Sequence, residues 1–137
     1  MERTFAIIKP DAVAAGHSGE IISIIEQNGF DILAMKKIRM RPADAQGFYA
    51  VHRDKPFYND LVKFMTEGPV IVLALERENA IKTWRDVMGA TNPEKAAEGT
   101  SRQRFGTSIE RNATHGSDAP ETAAAELAFF FSTSDLL

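Results

Sequence analysis

The chain of 137 residues contains no cysteine. A disulfide framework and a cysteine-based zinc site are both excluded, and the composition suits a reducing cytosol without requiring one. Long apolar runs are missing too: the longest, Val70 to Leu75, is far too short to cross a bilayer. No basic segment followed by an apolar stretch leads into a cleavage site, and strand-like residues begin almost at Met1, so no leader peptide is expected. A basic surplus is also lacking. With a formal net charge of -3, nucleic-acid binding through bulk basicity is disfavoured. Any anion site must be a local cluster drawn from Lys9, Arg85, Arg102, Arg104 and Arg111. No internal repeat, low-complexity tract or interdomain linker interrupts the chain.

With 44% hydrophobic and 26% charged residues, the chain can bury a core without metals or cross-links and reads as a single domain over residues 1–137. Thr4 to Lys9 predicts a mostly apolar strand closed by Pro10. Ser18 is placed to cap a helix carrying Ile21, Ile22 and Ile25, with Gly29 beyond its end. Asp31 to Met40 offers a second strand and Pro42 a helix start; Phe48 and Val51, then Leu61, Phe64 and Met65, point to two short helices separated near Lys55-Pro56. Val70 to Leu75, rich in branched residues, predicts a buried strand, and Ala80, Ile81, Trp84, Val87 and Met88 have helical spacing up to Gly89. From Gly89 to Arg111 no period is sustained; so long a loop in a compact domain is usually functional or disordered, and its Arg102, Arg104 and Arg111 favour the functional reading. A short strand near Ala113 to His115 and a helix from about Ala119 to Phe131, with Ala123, Leu127 and Phe130 inward, complete the chain. The order implies an α+β sandwich in which helices cover a small, largely antiparallel sheet.

The segment richest in chemistry is Asn112-Ala113-Thr114-His115-Gly116-Ser117-Asp118, which sets one of only three histidines among small, polar, turn-forming neighbours. Asp118-Ala119-Pro120-Glu121 reads as a capping aspartate with a glutamate three residues on and proline in the first turn. His115 is therefore expected just outside a helix N-terminus, where amides and the helix dipole favour an anion such as phosphate.

This segment resembles the active-site signature Asn-x-x-His-Gly-Ser-Asp of the nucleoside diphosphate kinases. The resemblance continues in Arg3 to Asp11, Phe48 to His52, Lys55 to Tyr58, Gly89 to Pro93 and Gly99 to Arg102, in order along essentially the whole chain. It implies a ferredoxin-like βαββαβ sandwich with a four-stranded antiparallel sheet. It also implies transfer of the γ-phosphate of a nucleoside triphosphate, typically ATP, to a nucleoside diphosphate, by a ping-pong mechanism through phosphorylated His115. Histidine suits this role because its ordinary pKa of about 6.5 leaves much of it neutral and nucleophilic near pH 7.

By the same resemblance, Glu126 accepts a hydrogen bond from the ring nitrogen that is not phosphorylated, and Ser117 supports that pair. Arg85, Thr91 and Arg102 match residues that bind the terminal phosphates. Tyr49 and His52 match residues near the nucleophile and the inner phosphate, with Tyr49 and Lys9 counted in the catalytic set. Lys9 and Asn112 match residues that reach the ribose hydroxyls. The base is expected between Phe57 and Ile109, a clamp that reads a π surface and admits purines and pyrimidines alike. Mg2+ is expected to be held mainly by the nucleotide phosphates, with no protein ligand. Ser101 stands where an apolar residue is usual, Arg104 where an acidic one is common, and Trp84 is also less usual. The resemblance further implies nucleotide-pool balancing in the cytoplasm by a dimer-based homo-oligomer, the family's dimers combining into tetramers or hexamers; the short end at Leu137 favours a bacterial-type tetramer, or a dimer if the unusual loop weakens contacts. The competing readings are a non-catalytic relative and a nucleic-acid-binding α+β module; the latter lacks an aromatic run and basic charge.

Overall fold

In the computed structural model, which describes residues 1–136, the strands β1 (Glu2–Ile8), β2 (Asp31–Ile38), β3 (Val70–Arg77) and β4 (Thr114–Gly116) form one sheet in the order β2-β3-β1-β4. Every neighbouring pair is antiparallel. Seven α-helices lie among the described residues: α1 (Pro10–Ala14), α2 (Ser18–Gln27), α3 (Pro42–Phe48), α4 (Tyr58–Met65), α5 (Ala80–Met88), α6 (Ser101–Phe105) and α7 (Pro120–Phe130). Short 3-10 turns occupy Ala50–His52, Pro93–Lys95 and Thr133–Leu136. This is the ferredoxin-like α+β sandwich.

Helices cover both faces of the sheet, which is why β1 and β3 read as continuous apolar runs rather than alternating ones. Side chains on a strand point alternately to opposite faces. Ala6, Ile8, Leu73 and Leu75 meet Ile21 and Ile25 of α2 and Trp84 and Met88 of α5. Phe5, Ile7, Val72 and Ala74 meet Ala45 of α3, Phe64 and Met65 of α4, and Leu127 of α7. Each fully buried Val, Leu, Ile, Phe or Met among them contributes about 1.5–3 kcal/mol relative to exposure. β4 takes its place beside β1, with His115 opposite Ile7, so His115 faces the layer containing α3 and α7.

Several local expectations are corrected. Pro10 does more than close β1: it opens α1, where its fixed φ and missing N–H are well suited to the first turn. β2 ends at Ile38, short of Met40. Ser18 is the first residue of α2 and makes no capping bond; the cap position is His17. Asp118 does not cap α7 either. Ala119 holds that position with no side-chain cap, and the Asp118 carboxylate bonds Arg85 Nη1 at 2.6 Å, a charge-assisted contact stronger than one to a neutral amide. Val51 is 84% exposed, outside the core stripe assumed for it, whereas Phe130 does face inward, stacked on Phe5 at 5.5 Å. The segment from Gly89 to Arg111 contains α6, whose N-terminus is capped by Thr100 Oγ1 accepting the Gln103 N–H at 3.3 Å.

Candidate active site

β4 carries the site. The His115 ring lies between the edges of Phe5 and Phe48, with centroids 6.0 and 5.7 Å away. Its Nε2 is 3.1 Å from Glu126 Oε1, and the same oxygen accepts the Ser117 hydroxyl at 2.7 Å. Ser117 Oγ in turn accepts the Phe5 N–H at 3.3 Å, which ties the turn after β4 back to β1. The Glu126 carboxylate accepts and cannot donate, so a neutral imidazole bonded to it carries its proton on Nε2 and its lone pair on Nδ1. Glu126 lies in the body of α7. His115 therefore meets the flank of that helix, not the N-terminal amides expected to receive an anion beside it.

Tyr49 is buried beneath this group, and burial followed by the Glu126 charge pushes its phenol well above the ordinary range. Rings continue outward from Tyr49 to His52 at 6.4 Å and from His52 to Phe57 at 5.5 Å. Phe57 and Ile109 are 47% and 62% exposed, so neither belongs to the core. The exposure of Ile109, unusual for so apolar a side chain, leaves it free to meet a ligand.

Cations gather beside β4. Lys9 is only 8% exposed; its Nζ donates to Asn112 Oδ1 at 2.8 Å, and Asn112 Nδ2 donates to the Thr91 carbonyl at 3.0 Å. Burial, then the nearby Arg102 charge, lowers the Lys9 ammonium to about 8, against the opposing pull of Asp11 and Glu110. Arg102, 7% exposed, is no solvated surface charge: it donates to the carbonyls of Gly89 at 3.0 Å and Thr114 at 3.1 Å. Burial, then Arg85, lowers it to about 10. Arg85 stays exposed on α5, paired with Asp118. Arg104 and Arg111 are committed elsewhere, to Glu20 and to Glu67. Ser101, in a position where an apolar side chain was expected, is fully buried and satisfied by the Thr114 hydroxyl at 3.0 Å.

Sequence reasoning missed Asp11. Its Oδ2 accepts the Ala113 N–H at 3.1 Å while the Ala113 carbonyl accepts the Lys9 N–H at 2.8 Å. Ala113 sits at φ 74, a left-handed conformation that alanine rarely adopts, two residues before His115. Burial raises the Asp11 carboxyl, with the backbone N–H of Ala12 the largest opposing influence. Its only signal was its place after Lys9-Pro10. Phe48, against the His115 ring, was noticed as helix pattern and not as part of the site.

An imidazole held at one nitrogen by a carboxylate, with two buried cations, Lys9 and Arg102, beside the same strand, suits a phosphoryl-transferring enzyme. The family model described as Nucleoside diphosphate kinase matches residues 2–136. A nucleoside diphosphate kinase of Trichlorobacter lovleyi is 58% identical over 137 residues, spanning 100% of this chain and 99% of that protein. Among solved structures, the Aquifex aeolicus nucleoside diphosphate kinase superposes with a TM-score of 0.97 at 45% identity, covering 99% of each chain. That of Halobacterium salinarum in complex with CDP gives 0.95 at 38% identity, covering 99% of this chain and 91% of that one. The chain belongs to the nucleoside diphosphate kinase family, bacterial type.

Proposed function

We propose that His115 carries the phosphoryl group in a nucleoside diphosphate kinase reaction catalysed by this single domain, residues 1–137. Nδ1 of His115 attacks the γ-phosphorus of a nucleoside triphosphate; the N–P bond forms, the bond to the β–γ bridging oxygen breaks, and the electron pair leaves on the diphosphate. A second nucleoside diphosphate then attacks the phosphohistidine through a terminal phosphate oxygen, and Nδ1 is regenerated. The two half-reactions are nearly symmetric, so one residue serves both directions. The observation that carries this reading is the contact of His115 Nε2 with Glu126 Oε1 at 3.1 Å, itself braced by Ser117 at 2.7 Å. The carboxylate stabilises positive charge on the imidazole as phosphorus bonds to the opposite nitrogen.

Arg85, Arg102 and Thr91 hold the terminal phosphates, where charge spreads over the transferring oxygens. Arg85 keeps guanidinium donors besides the one given to Asp118. Tyr49 and His52 line the approach to the nucleophile and the inner phosphate. Lys9 and Asn112, already bonded to each other, turn to the ribose hydroxyls. Phe57 and Ile109 clamp the base from an aromatic and an aliphatic side, and the pair reads no hydrogen-bonding edge, which gives broad base specificity and suits pool balancing. The diphosphate ligand of the Halobacterium salinarum relative supports a substrate of that class.

Among the described residues no group of three or more histidine or acidic side chains is placed to hold a metal. Mg2+ brought in on the nucleotide's own phosphates would supply charge neutralisation of the phosphate oxygens. We further propose a cytoplasmic, dimer-based tetramer. What supports assembly is β2, an edge strand eight residues long with Met35 49% exposed, whose open backbone groups a second copy would cover.

Incubation with γ-labelled ATP without acceptor tests the mechanism. The expected label is acid-labile, alkali-stable and transferable to added GDP, and His115→Ala abolishes it while the fold persists. Folded protein that takes no label, or an active His115→Ala variant, would overturn it.

A further inference from the structure

We propose that Trp84 is a positioning residue for phosphoryl transfer, acting through its indole N–H on the backbone carbonyl of His115; the inference rests on the role of His115 given above. Trp84 is the only tryptophan of the chain and is fully buried. A buried indole N–H needs an acceptor, and many carbonyls could serve. The one it uses, at 3.1 Å, belongs to the nucleophile's own residue. The next residue along β4 is in equally close register: a Cβ on Gly116 would come within 2.5 Å of Trp84 Cδ1 and 2.9 Å of Nε1. The indole edge therefore lies directly on the backbone of His115 and Gly116, and its ring is fixed from behind by an edge-on contact with Phe30, 6.2 Å away at 84°.

Trp84 packs in the layer of α2 and α5, on the sheet face opposite the α7 layer. His115 is thus held from both faces, its ring by Glu126 on one and its carbonyl by Trp84 on the other. Trp84 is followed immediately by Arg85, which stands exposed and reaches Asp118 just beyond β4. Consecutive helical residues point about 100° apart, so fixing the rotation of α5 through Trp84 also fixes the direction of Arg85. Arg102 joins the same two elements further along, bonding Gly89 at the end of α5 and Thr114 at the start of β4. Trp84 thereby sets the distance between the nucleophilic nitrogen and the cation that receives the γ-phosphate. Transfer is steeply sensitive to misplacement on the scale of 1 Å.

The test measures single-turnover phosphorylation of His115 by γ-labelled ATP, kcat and KM for the acceptor diphosphate, and the melting temperature, in Trp84→Phe, Gly116→Ala and the double variant. Trp84→Phe keeps a ring but loses the N–H; roughly a fivefold fall in phosphorylation rate and kcat is expected, with KM within about twofold. Gly116→Ala pushes the intact indole away and should show the same split. In the double variant the smaller ring can draw back from the new methyl while the flexible Met88 Cε, which that methyl would meet at 2.6 Å, swings aside, so its rate should lie within about twofold of Trp84→Phe alone. Folded Trp84→Phe that is phosphorylated at the unaltered rate, or losses that simply multiply, would overturn the proposal. If Trp84→Phe does not fold, Gly116→Ala decides alone: an unaltered phosphorylation rate rejects the positioning role. Absence of label on the unaltered protein would instead remove the reading of His115 and this inference with it.

Discussion

Lys9 is an ammonium buried in a place where its charge is unfavourable, beside Arg102, with Asn112 as its hydrogen-bonded partner. Proteins keep such residues where a ligand needs them. The cost has a pH signature. The folded group titrates near 8 and the unfolded one near 10.5, so below pH 8 both states hold the proton and the penalty of burial is complete. Between those values the unfolded chain binds more protons, and stability gains as pH rises. The shift corresponds to roughly 3 kcal/mol. Lys9→Met should therefore be more stable than the unaltered protein at pH 7 to 8, with the advantage shrinking as pH rises toward 10.5. Urea midpoints across that window check this, and a difference independent of pH would contradict it. The type and number of this residue were legible in the sequence from Lys9-Pro10-Asp11, but its burial was not, because the neighbours that enclose it come from the distant segment around Asn112.

Among the elements, the five-residue helices α1 and α6 escape the sequence reading, and α6 carries Arg102. Five residues are too few to display an apolar period, so Ser101–Phe105 passed as loop. The readable signal was the pair Thr100 and Gln103, spaced as a helix cap and its third residue. The opposite error occurred at α7, where Asp118 had the right type and spacing for a cap and was drawn off by Arg85. Local spacing cannot report a competitor that arrives from another helix. Thr100→Val removes the Oγ1 that accepts the Gln103 N–H and should cost about 1 kcal/mol of stability. It should also lower kcat/KM for nucleotides, since Arg102 lies in the first turn of the helix it uncaps. Thr100→Ser, which keeps the hydroxyl, should leave both near their original values. Denaturant midpoints and steady-state kinetics measure the two effects, and a Val variant matching Ser would exclude the capping role.

On the scale of the whole molecule, the antiparallel order β2-β3-β1-β4 brings β4, from the last third of the chain, against β1 from the first. That one pairing unites Lys9 with Asn112, Asp11 with Ala113 and Phe5 with Ser117. The same order leaves β2 open at the far edge. The tetramer proposed above should appear in light scattering as four times the mass of one chain, and a monomeric mass would reject it. The fold class, the four strands and the longer helices were legible in the sequence by itself, because apolar periodicity is a local property carried by side-chain type, while His115, Glu126, Arg102 and the other proposed site residues were named through the resemblance of their segments to a known family. Which histidine nitrogen is free, which cations are buried, where Asp118 spends its charge, and the grip of Trp84 on the His115 carbonyl were decided only by the tertiary structure. Each of these depends on hydrogen bonds and desolvation between residues far apart in sequence, and such contacts exist only once the sheet has closed.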